Sequence, residues 1–159
     1  EVRLSLVGSE MCIRDSSGVI FTRPQAAFVG LSAEQAKEQG IDAAEIKVPM
    51  SVDAKAMITG ETQGLIKIVA EKASHRVIGV HFLADHADTL IGEGVMMVAG
   101  ELTLEQVGQA IHPHPTQTEL FGDLARRLSS RLKRRRSGRR RRNNYSRDPL
   151  PFKGRVREG

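Results

Sequence analysis

The stretch GLIKIVAEKASHRVIGVHFLA (64–84) constrains the fold of this 159-residue chain more than any other part of it. It holds two β-rich runs joined by the short connection ASH. One side of the first run is more apolar than the other: it carries Ile66, Ile68 and Ala70, opposite Lys67, Val69 and Glu71. Because side chains alternate between the two faces of a strand, this pattern predicts an antiparallel hairpin with one more apolar face.

The rest of the central chain predicts further strands and, mostly after them, helices. β-rich composition and turn residues predict strands at GVIFT, AAFVG and AEIKVPM, followed by a loop containing DAKAMITGETQ. Spacing and capping residues predict helices in LSAEQAKEQG (N-cap Ser32), ADTLIGEGVMMVAGE, TLEQVGQAI (N-cap Thr103) and QTELFGDLARRL. We therefore expect an α+β fold, in which an antiparallel sheet of four to five strands, formed as a meander, carries helices packed on one face.

The first 17 residues, EVRLSLVGSEMCIRDSS, are not expected to belong to this fold. Eleven of them, LVGSEMCIRDS, resemble the in-frame translation of a transposon adapter used in sequencing libraries. We interpret residues 1–17 as an adapter-like, non-native segment, in preference to a genuine N-terminal strand. Cys12 is the single cysteine, which excludes an internal disulfide, a CxxC redox pair and a cysteine-built zinc site within one chain.

The last segment of the chain differs from the body in charge. Residues 129–159 hold 13 of the 24 Lys and Arg residues but 2 of the 19 Asp and Glu residues, so their net charge is +11, against −6 for residues 1–128. Like charges repel, and the segment has few apolar residues to offset the entropy of ordering it. We therefore expect residues 18–128 to be the folded domain and 129–159 a basic, disordered tail.

The stretch IHPHPTQTELF (111–121) carries the residues best suited to chemistry. His112 and His114 each precede a proline, and Glu119 follows five residues after the second histidine. Imidazole exchanges protons near neutral pH, and a hydrogen-bonded carboxylate selects its tautomer. A metal half-site is the alternative, but no third ligand cluster lies nearby in the sequence. Taken alone, the stretch favours a structural role for His114.

The same stretch predicts its own geometry. Proline disfavours helix for the residue before it, so residues 112–116 should be extended, with a helix beginning near Gln117 or Thr118. Glu119 would then lie in the first helical turn, close enough to reach the His114 ring. The bond between His114 and Pro115 is a candidate for the cis form.

Three stretches together resemble the C-terminal dimerisation domain of the pyridine nucleotide–disulfide oxidoreductases, most closely its dihydrolipoyl dehydrogenase branch. VIFTRPQAAFVGLSAEQAKEQG is similar to the start of that domain, and AKAMITGETQGLIKIVAEKASHRVIGVHFLADHADTLIGEG to its central hairpin and following helix. HPHPTQTE is similar to the family signature His-x-His-Pro-Thr-x-Ser/Thr-Glu, with Pro113 where alanine is more usual. The resemblance spans about residues 18–128.

The resemblance implies roles for two residues and a set of partners. In the family, the histidine before Pro-Thr is the acid–base partner of the redox-active thiols, and the glutamate five residues later fixes its ring. These positions are His114 and Glu119 here, while His112 is expected to be a neighbour with no direct role. The resemblance also implies FAD and NAD(P) held by upstream domains, a homodimer formed through this domain, and a lipoyl-bearing acyltransferase complex as a further partner.

On this basis we expect a dimerisation fragment that is inactive alone and supplies its pair to the disulfide of the partner subunit. No cofactor or metal site is expected in the chain itself, because no G-x-G-x-x-G follows a strand and the CxxxxC disulfide of the family is absent. The choice of disulfide substrate, and of NAD or NADP, would lie in the upstream domains. The sheet and the helix bearing Met96 and Met97 should leave an apolar patch for a second subunit.

A second function remains open from the residues alone. The chain could be a non-catalytic interaction module whose basic tail binds nucleic acid or an anionic surface. Nucleic acid is disfavoured, because no aromatic side chain is interleaved with the arginines for bases to stack on. No apolar run approaches the roughly 20 residues needed to cross a bilayer, and the N-terminus lacks the apolar core of a signal peptide, so we expect a cytoplasmic protein.

Overall fold

The computed structural model describes residues 16–145, with side chains for residues 16–135. Within this range, one five-stranded sheet is formed by β1 Ser17–Ile20, β2 Gln25–Gly30, β3 Ala43–Pro49, β4 Leu65–Glu71 and β5 Val77–Ala84. The helices of the same range are α1 Ala33–Glu38, α2 Ala54–Thr59, α3 Ala87–Ala99, α4 Leu104–Gln109 and α5 Glu119–Tyr145, and a 3₁₀ turn covers Met50–Val52. The predicted α+β fold with an antiparallel sheet is confirmed.

The order of the strands is β1-β2-β5-β4-β3, and every neighbouring pair is antiparallel. The predicted meander is therefore right for β3, β4 and β5 but wrong for β2, which pairs with β5. The reason lies in the connection after β2, which contains α1 and carries the chain to the far edge of the sheet. β5 then returns to the centre, where Val80 pairs with Val29 on one side and with Ile68 on the other.

The main core lies between one face of the sheet and the later helices. α3 packs across β2 and β5, α5 packs on β3 and β4, and α4 packs on α5. The Phe82 ring on β5 meets the Phe121 ring on α5 edge to face, with centroids 5.4 Å apart. Apolar side chains from four strands are buried on this face: Ala27, Val29, Ile46, Ile66, Ile68, Val80 and Phe82. The predicted apolar side of the hairpin therefore faces the core.

The opposite face of the sheet is contacted by the segment that leads into α1. The carbonyl of Leu31, just before α1, lies 3.3 Å from Nε2 of His81 on that face. A side chain at Gly79 would clash with the same carbonyl, since an added Cβ would lie 2.0 Å from its oxygen. α1 therefore adds a local contact on this face, where burial lowers the pKa of His81.

Two predicted helix caps are present and one short helix was missed. Ser32 and Thr103 each form a capping box, with Gln35 and Gln106 as the partners three residues on. The loop predicted around DAKAMITGETQ contains α2 instead. Asp53 Oδ1 accepts from the Ala56 amide at 2.7 Å, and the chain then turns at Gly60 with φ 79°, so the segment has both a helix start and a helix stop.

The prediction of disorder from residue 129 is wrong for the first part of that segment. α5 runs without interruption from Glu119 to Tyr145, and both Ser129 and Leu132 are buried. Arginine and lysine are good helix formers, and a helix already nucleated upstream can extend through them at little cost. Residues 146–159, and the adapter-like segment up to residue 15, lie outside the described residues, whereas Ser17 of that segment already belongs to β1.

Candidate active-site pair

The candidate residues lie on the connection between α4 and α5. Residues 110–113 have no regular secondary structure, and 117–118 form a turn before α5 begins at Glu119. The helix therefore starts one or two residues later than predicted. The His114–Pro115 peptide bond is cis, as its sequence context allowed.

His114 and Glu119 contact each other as the motif predicts. Nδ1 of His114 lies 2.9 Å from Oε2 of Glu119 and 3.1 Å from its Oε1. The same carboxylate accepts from the Thr116 amide at 2.8 Å, which satisfies a backbone donor at the helix start. Glu119 therefore holds both the His114 ring and the turn that leads into α5.

The charge of Glu119 is stabilised by its surroundings. The amide of Thr116 lowers the pKa of the Glu119 carboxyl most, and the hydrogen bond to His114 lowers it further. An ionised carboxylate at this position favours the tautomer of His114 that carries its proton on Nδ1. The other ring nitrogen, Nε2, is then left in the form that accepts a proton.

The pair faces outward. The His114 side chain is 72% exposed, whereas that of Glu119 is 31% exposed. The Thr116 hydroxyl donates to the Pro113 carbonyl at 2.7 Å, which closes the turn around the pair. A group outside this chain can therefore approach the ring.

His112, for which the sequence indicated no direct role, forms a second pair with a carboxylate. Its Nε2 lies 2.7 Å from Oε1 of Glu93 on α3, and its side chain is 12% exposed. The two residues are 19 positions apart and belong to different elements. No local spacing rule indicates such a contact, so sequence reasoning missed Glu93.

A buried carboxylate, that of Asp53, also interacts with the pair. Asp53, the N-cap of α2, is 3% exposed. Burial raises the pKa of the Asp53 carboxyl, and the negative charge of Glu119 raises it further. The start of α2 is therefore close enough to the site for the two carboxyl groups to interact.

A shallow cleft of about 280 Å³ borders the site, lined by Gly108, Gln109, Ala110, Ile111, His112, Glu119 and Arg126. No group of three His, Cys, Asp or Glu side chains that could hold a metal ion occurs among the residues that the structure describes. In the same part of the chain, no helix has both the length and the apolar composition needed to cross a membrane.

The family of the chain follows from its whole body and not from the motif alone. Residues 16–125 match the sequence profile described as "Pyridine nucleotide-disulphide oxidoreductase, dimerisation domain". The matched range includes every described strand and both His114 and Glu119. The chain belongs to this family. The resemblance stated from the sequence motifs is thereby confirmed.

Several curated relatives are dihydrolipoyl dehydrogenases. The Bacillus subtilis enzyme is 38% identical over 106 residues, which cover 67% of this chain and 22% of that protein. The mitochondrial enzyme of Pisum sativum is 34% identical over 68% of this chain and 22% of its own length. Leghemoglobin reductase of Glycine max is also 34% identical, over 68% of this chain and 21% of its own length. The chain thus spans little more than a fifth of these relatives.

Several solved structures share the fold of this domain. LpdA from Mycobacterium tuberculosis superposes with a TM-score of 0.69 at 27% identity, over 73% of this chain and 25% of that one. The HOCl-induced flavoprotein disulfide reductase RclA from Escherichia coli superposes with a TM-score of 0.67 at 24% identity, over 70% of this chain and 26% of its own. The second likeness concerns the fold alone.

Proposed function

We propose that this domain supplies His114 and Glu119 as the acid–base pair to the disulfide centre of a partner subunit, in a dimeric FAD- and NAD(P)-dependent oxidoreductase of dihydrolipoyl dehydrogenase type. The observation that carries the proposal is the 2.9 Å contact between His114 Nδ1 and Glu119 Oε2 on a ring that is 72% exposed. The chain itself orients such a pair. The exposed ring can then contact a disulfide of the partner subunit, which one chain with a single cysteine cannot form.

The proposed chemistry is proton transfer during thiol–disulfide exchange. Thiolate, and not thiol, attacks a disulfide sulfur. Nε2 of His114 takes the proton of the substrate thiol, the sulfur attacks one sulfur of the partner's disulfide, and the other sulfur leaves as a thiolate. Glu119 stabilises the imidazolium formed in this step and keeps the ring oriented. The proton on His114 is then available to the leaving thiolate.

The residues present do not form a dinucleotide site. A pyrophosphate is bound by a glycine-rich turn that leads from a strand into a helix. In the described residues, the two direct strand-to-helix connections are Leu31–Ser32 before α1 and Asp85–His86 before α3, and neither is rich in glycine. We therefore assign FAD and NAD(P) to the part of the relatives that lies outside the matched region.

Exposed apolar side chains support assembly with other protein surfaces. Ile111, directly before His112, is 98% exposed, and Met96 on α3 is 68% exposed, whereas Met97 is buried. Phe21, after β1, is also largely exposed. Where such side chains form one contiguous patch, they mark a surface that another subunit or domain covers. The exposure of Ile111 beside the pair fits a site that is completed by a second subunit.

The test is a complete enzyme in which residues 16–145 replace the matching region of the Bacillus subtilis relative. We expect this enzyme to oxidise dihydrolipoamide, and His114→Gln to slow thiol oxidation by about 10²–10⁴-fold, the usual contribution of general acid–base catalysis. Glu119→Gln should slow it less, since the ring remains.

The matched control is His86→Gln, an exposed histidine that pairs with Asp85 far along the chain from the motif. It should leave turnover unchanged. The isolated 159-residue chain should show no turnover. Equal rates for His114→Gln and the parent enzyme would refute the proposal. Full turnover in an enzyme that sediments as a monomer would also refute it.

A second candidate function rests on a basic groove beside α5. The groove has a volume of about 490 Å³ and is lined by Ile46, Lys47, Val48, Arg126, Arg127, Ser130, Arg131 and Arg134. Its cationic side chains suit a polyanion, although Arg127 pairs with Asp123 and Arg126 donates to the Gly108 carbonyl. Binding of labelled single-stranded DNA that weakens with salt and is lost in the double variant Arg127→Ala/Arg131→Ala would support it. Binding that disappears when only residues 136–159 are removed would assign it to the chain end instead.

A further inference from the structure

In the part of the chain that the structure describes, the segment 110–118, which carries His114, has one hydrogen bond to a distant element of the domain. Among the described residues, hydrogen bonds of residues 110–118 otherwise go to partners between positions 107 and 121. The contact of His112 Nε2 with Glu93 Oε1 at 2.7 Å is the exception, and it leads to α3. α3 is firmly packed on β2 and β5.

The His112 ring is held from both sides. Glu93 contacts Nε2 from α3, while Nδ1 faces Gly122 in the first turn of α5. A Cβ added at Gly122 would lie at an ordinary contact distance of 3.5 Å from that Nδ1, and closer, at 3.2 Å, to a guanidinium nitrogen of Arg126, so the backbone of α5 runs directly beside the ring. The ring therefore lies between α3 and the first turn of α5.

His112 and His114 differ in how far their side chains are exposed to solvent. His112 is almost buried at 12% side-chain exposure, whereas His114 is 72% exposed and two residues further on. Pro113 between them fixes one backbone dihedral and so stiffens the link. Anchoring the first imidazole thus limits where the second can lie.

We propose that His112 and Glu93 are positioning residues, which fix the segment 110–116 on α3 and thereby set where His114 presents Nε2. This inference rests on the proposed acid–base role of His114 for its catalytic consequence, though not for its structural one. Neither His112 nor Glu93 contacts the reacting sulfur atoms in this scheme. Their contribution is to hold the ring within the small range of positions that allows proton transfer, because a displacement of about 1 Å can lower a rate by about 10²-fold.

The structural half of the proposal is tested on the complete 159-residue chain by amide hydrogen exchange and by NMR of the histidine rings. Glu93→Ala and His112→Phe each remove the contact, and His112→Phe keeps a ring of similar size. We expect exchange at the hydrogen-bonded Thr116 amide to accelerate about 10-fold or more in both variants, because the segment can then open without breaking the contact between His112 and Glu93. The His114 ring resonances should broaden for the same reason. Exchange at Val80 in the sheet centre should stay the same.

Two further variants distinguish the loss of the contact between Glu93 and His112 from the mere loss of a negative charge and from general effects of a surface substitution. Glu93→Gln keeps a group that can hydrogen-bond with imidazole, so exchange in 110–118 should stay within about threefold of the parent chain. Asp123→Asn removes a carboxylate of similar exposure, 37% against 34%, from a surface ion pair on α5 and should change nothing in the segment. The double variant Glu93→Ala/His112→Phe should be no more mobile than either single variant if the two residues act as a pair.

The catalytic half is tested in the complete enzyme described above. Glu93→Ala and His112→Phe should lower kcat by about 10–100-fold per folded active site, with KM nearly unchanged and with rescue in Glu93→Gln. A merely structural role would lower the yield or Tm and leave kcat per site unaltered. Unchanged exchange in both Glu93→Ala and His112→Phe overturns the positioning proposal. Failure of the acid–base proposal would be seen separately, as full turnover in His114→Gln.

Discussion

The ammonium group of Lys133 lies 2.9 Å from the carboxylate of Glu105, so a residue of the arginine-rich segment is bonded to the folded body. Glu105 also contacts His75 Nδ1 and the Ser129 hydroxyl, each at 2.8 Å. This cluster of His75, Glu105, Ser129 and Lys133 joins the β4–β5 turn, α4 and α5. The folded unit therefore extends past the point where the charge of the sequence changes.

Removing the chain after Leu128 should destabilise the domain, whereas removing it after Arg135 should not. The first truncation deletes two partners of Glu105 and the buried side chain of Leu132. Leu132→Ala alone should lower the free energy of unfolding by about 2 kcal/mol or more, because it leaves a cavity. Its exposed neighbour gives the control: Arg131→Ala should change the value by less than about 0.5 kcal/mol. Denaturant unfolding measures all four, and equal effects at positions 131 and 132 would place Leu132 outside the core.

Glu105 should make stability fall in acid. Desolvation acts to raise the pKa of Glu105, but hydrogen bonds from Lys133, His75 and Ser129 outweigh it and lower the pKa from 4.5 to about 2. A lowered folded-state pKa means that the stabilisation is present above pH 4.5 and is lost as pH falls toward 2. Glu105→Gln should cost about 1–3 kcal/mol at pH 7 and remove this part of the acid dependence.

The control for Glu105 is Glu101→Gln. Glu101 pairs with Arg76 at the surface, where both side chains are at least half exposed. Such a pair contributes about 0–1 kcal/mol, so the substitution should have little effect on unfolding between pH 2 and pH 7. A similar loss for both variants would contradict the role of the cluster.

Two glycines of α3 should respond in opposite directions to alanine. Nothing lies within 4 Å of a Cβ added at Gly92, so Gly92→Ala should raise the free energy of unfolding by about 0.5–1 kcal/mol through helix propensity. At Gly94 the added atom would lie 3.2 Å from Cβ and Cγ1 of Val80, which is tighter than an ordinary contact. Gly94→Ala should therefore be at least about 1 kcal/mol less stable than Gly92→Ala. Equal values in urea unfolding would show that α3 can move away from the sheet freely.

The carboxyl of Glu119 should titrate below its ordinary pKa of 4.5, because the Thr116 amide and His114 stabilise its charge. Since the folded-state pKa is lowered, the contact with His114 should persist above pH 4.5 and be lost as pH falls through the lower folded-state value. Carbon-13 NMR of the carboxyl measures this directly. In His114→Gln the pKa should rise part of the way back, with the remaining shift due to the Thr116 amide. Titration at or above 4.5 in the parent chain would contradict the hydrogen bonding described here.

Much of the fold was predictable because its signals are local. The β4–β5 hairpin, the capping boxes at Ser32 and Thr103, and the start of α5 each depend on residues within a few positions of one another. The strand order was not predictable in the same way, because the pairing of β2 with β5 depends on the path taken through α1 and β3. α5 extends further than the charge pattern predicts, because the helix propensity of arginine and lysine and the burial of Leu132 outweigh the repulsion between like charges.

The two histidine–carboxylate contacts of the candidate site differ in the same way, one being local in sequence and the other not. The contact of His114 with Glu119 joins residues five positions apart, and proline and helix-start rules were enough to anticipate it. The contact of His112 with Glu93 joins residues 19 positions apart on different elements. It depends on how α3 packs on the sheet, which spacing in the sequence does not specify.

This difference in separation sets an order of events during folding. Loops of about ten residues close within about 10–100 ns, so His114 and Glu119 can meet in a chain that is otherwise unfolded. His112 can reach Glu93 only once α3 has docked on the sheet, because tertiary packing is needed to offset the entropy lost in closing the longer loop. A short synthetic peptide covering 110–123 should therefore form the first contact transiently and never the second. The contact between His114 and Glu119 therefore forms early and locally, and the position of the His114 ring within the domain is fixed last.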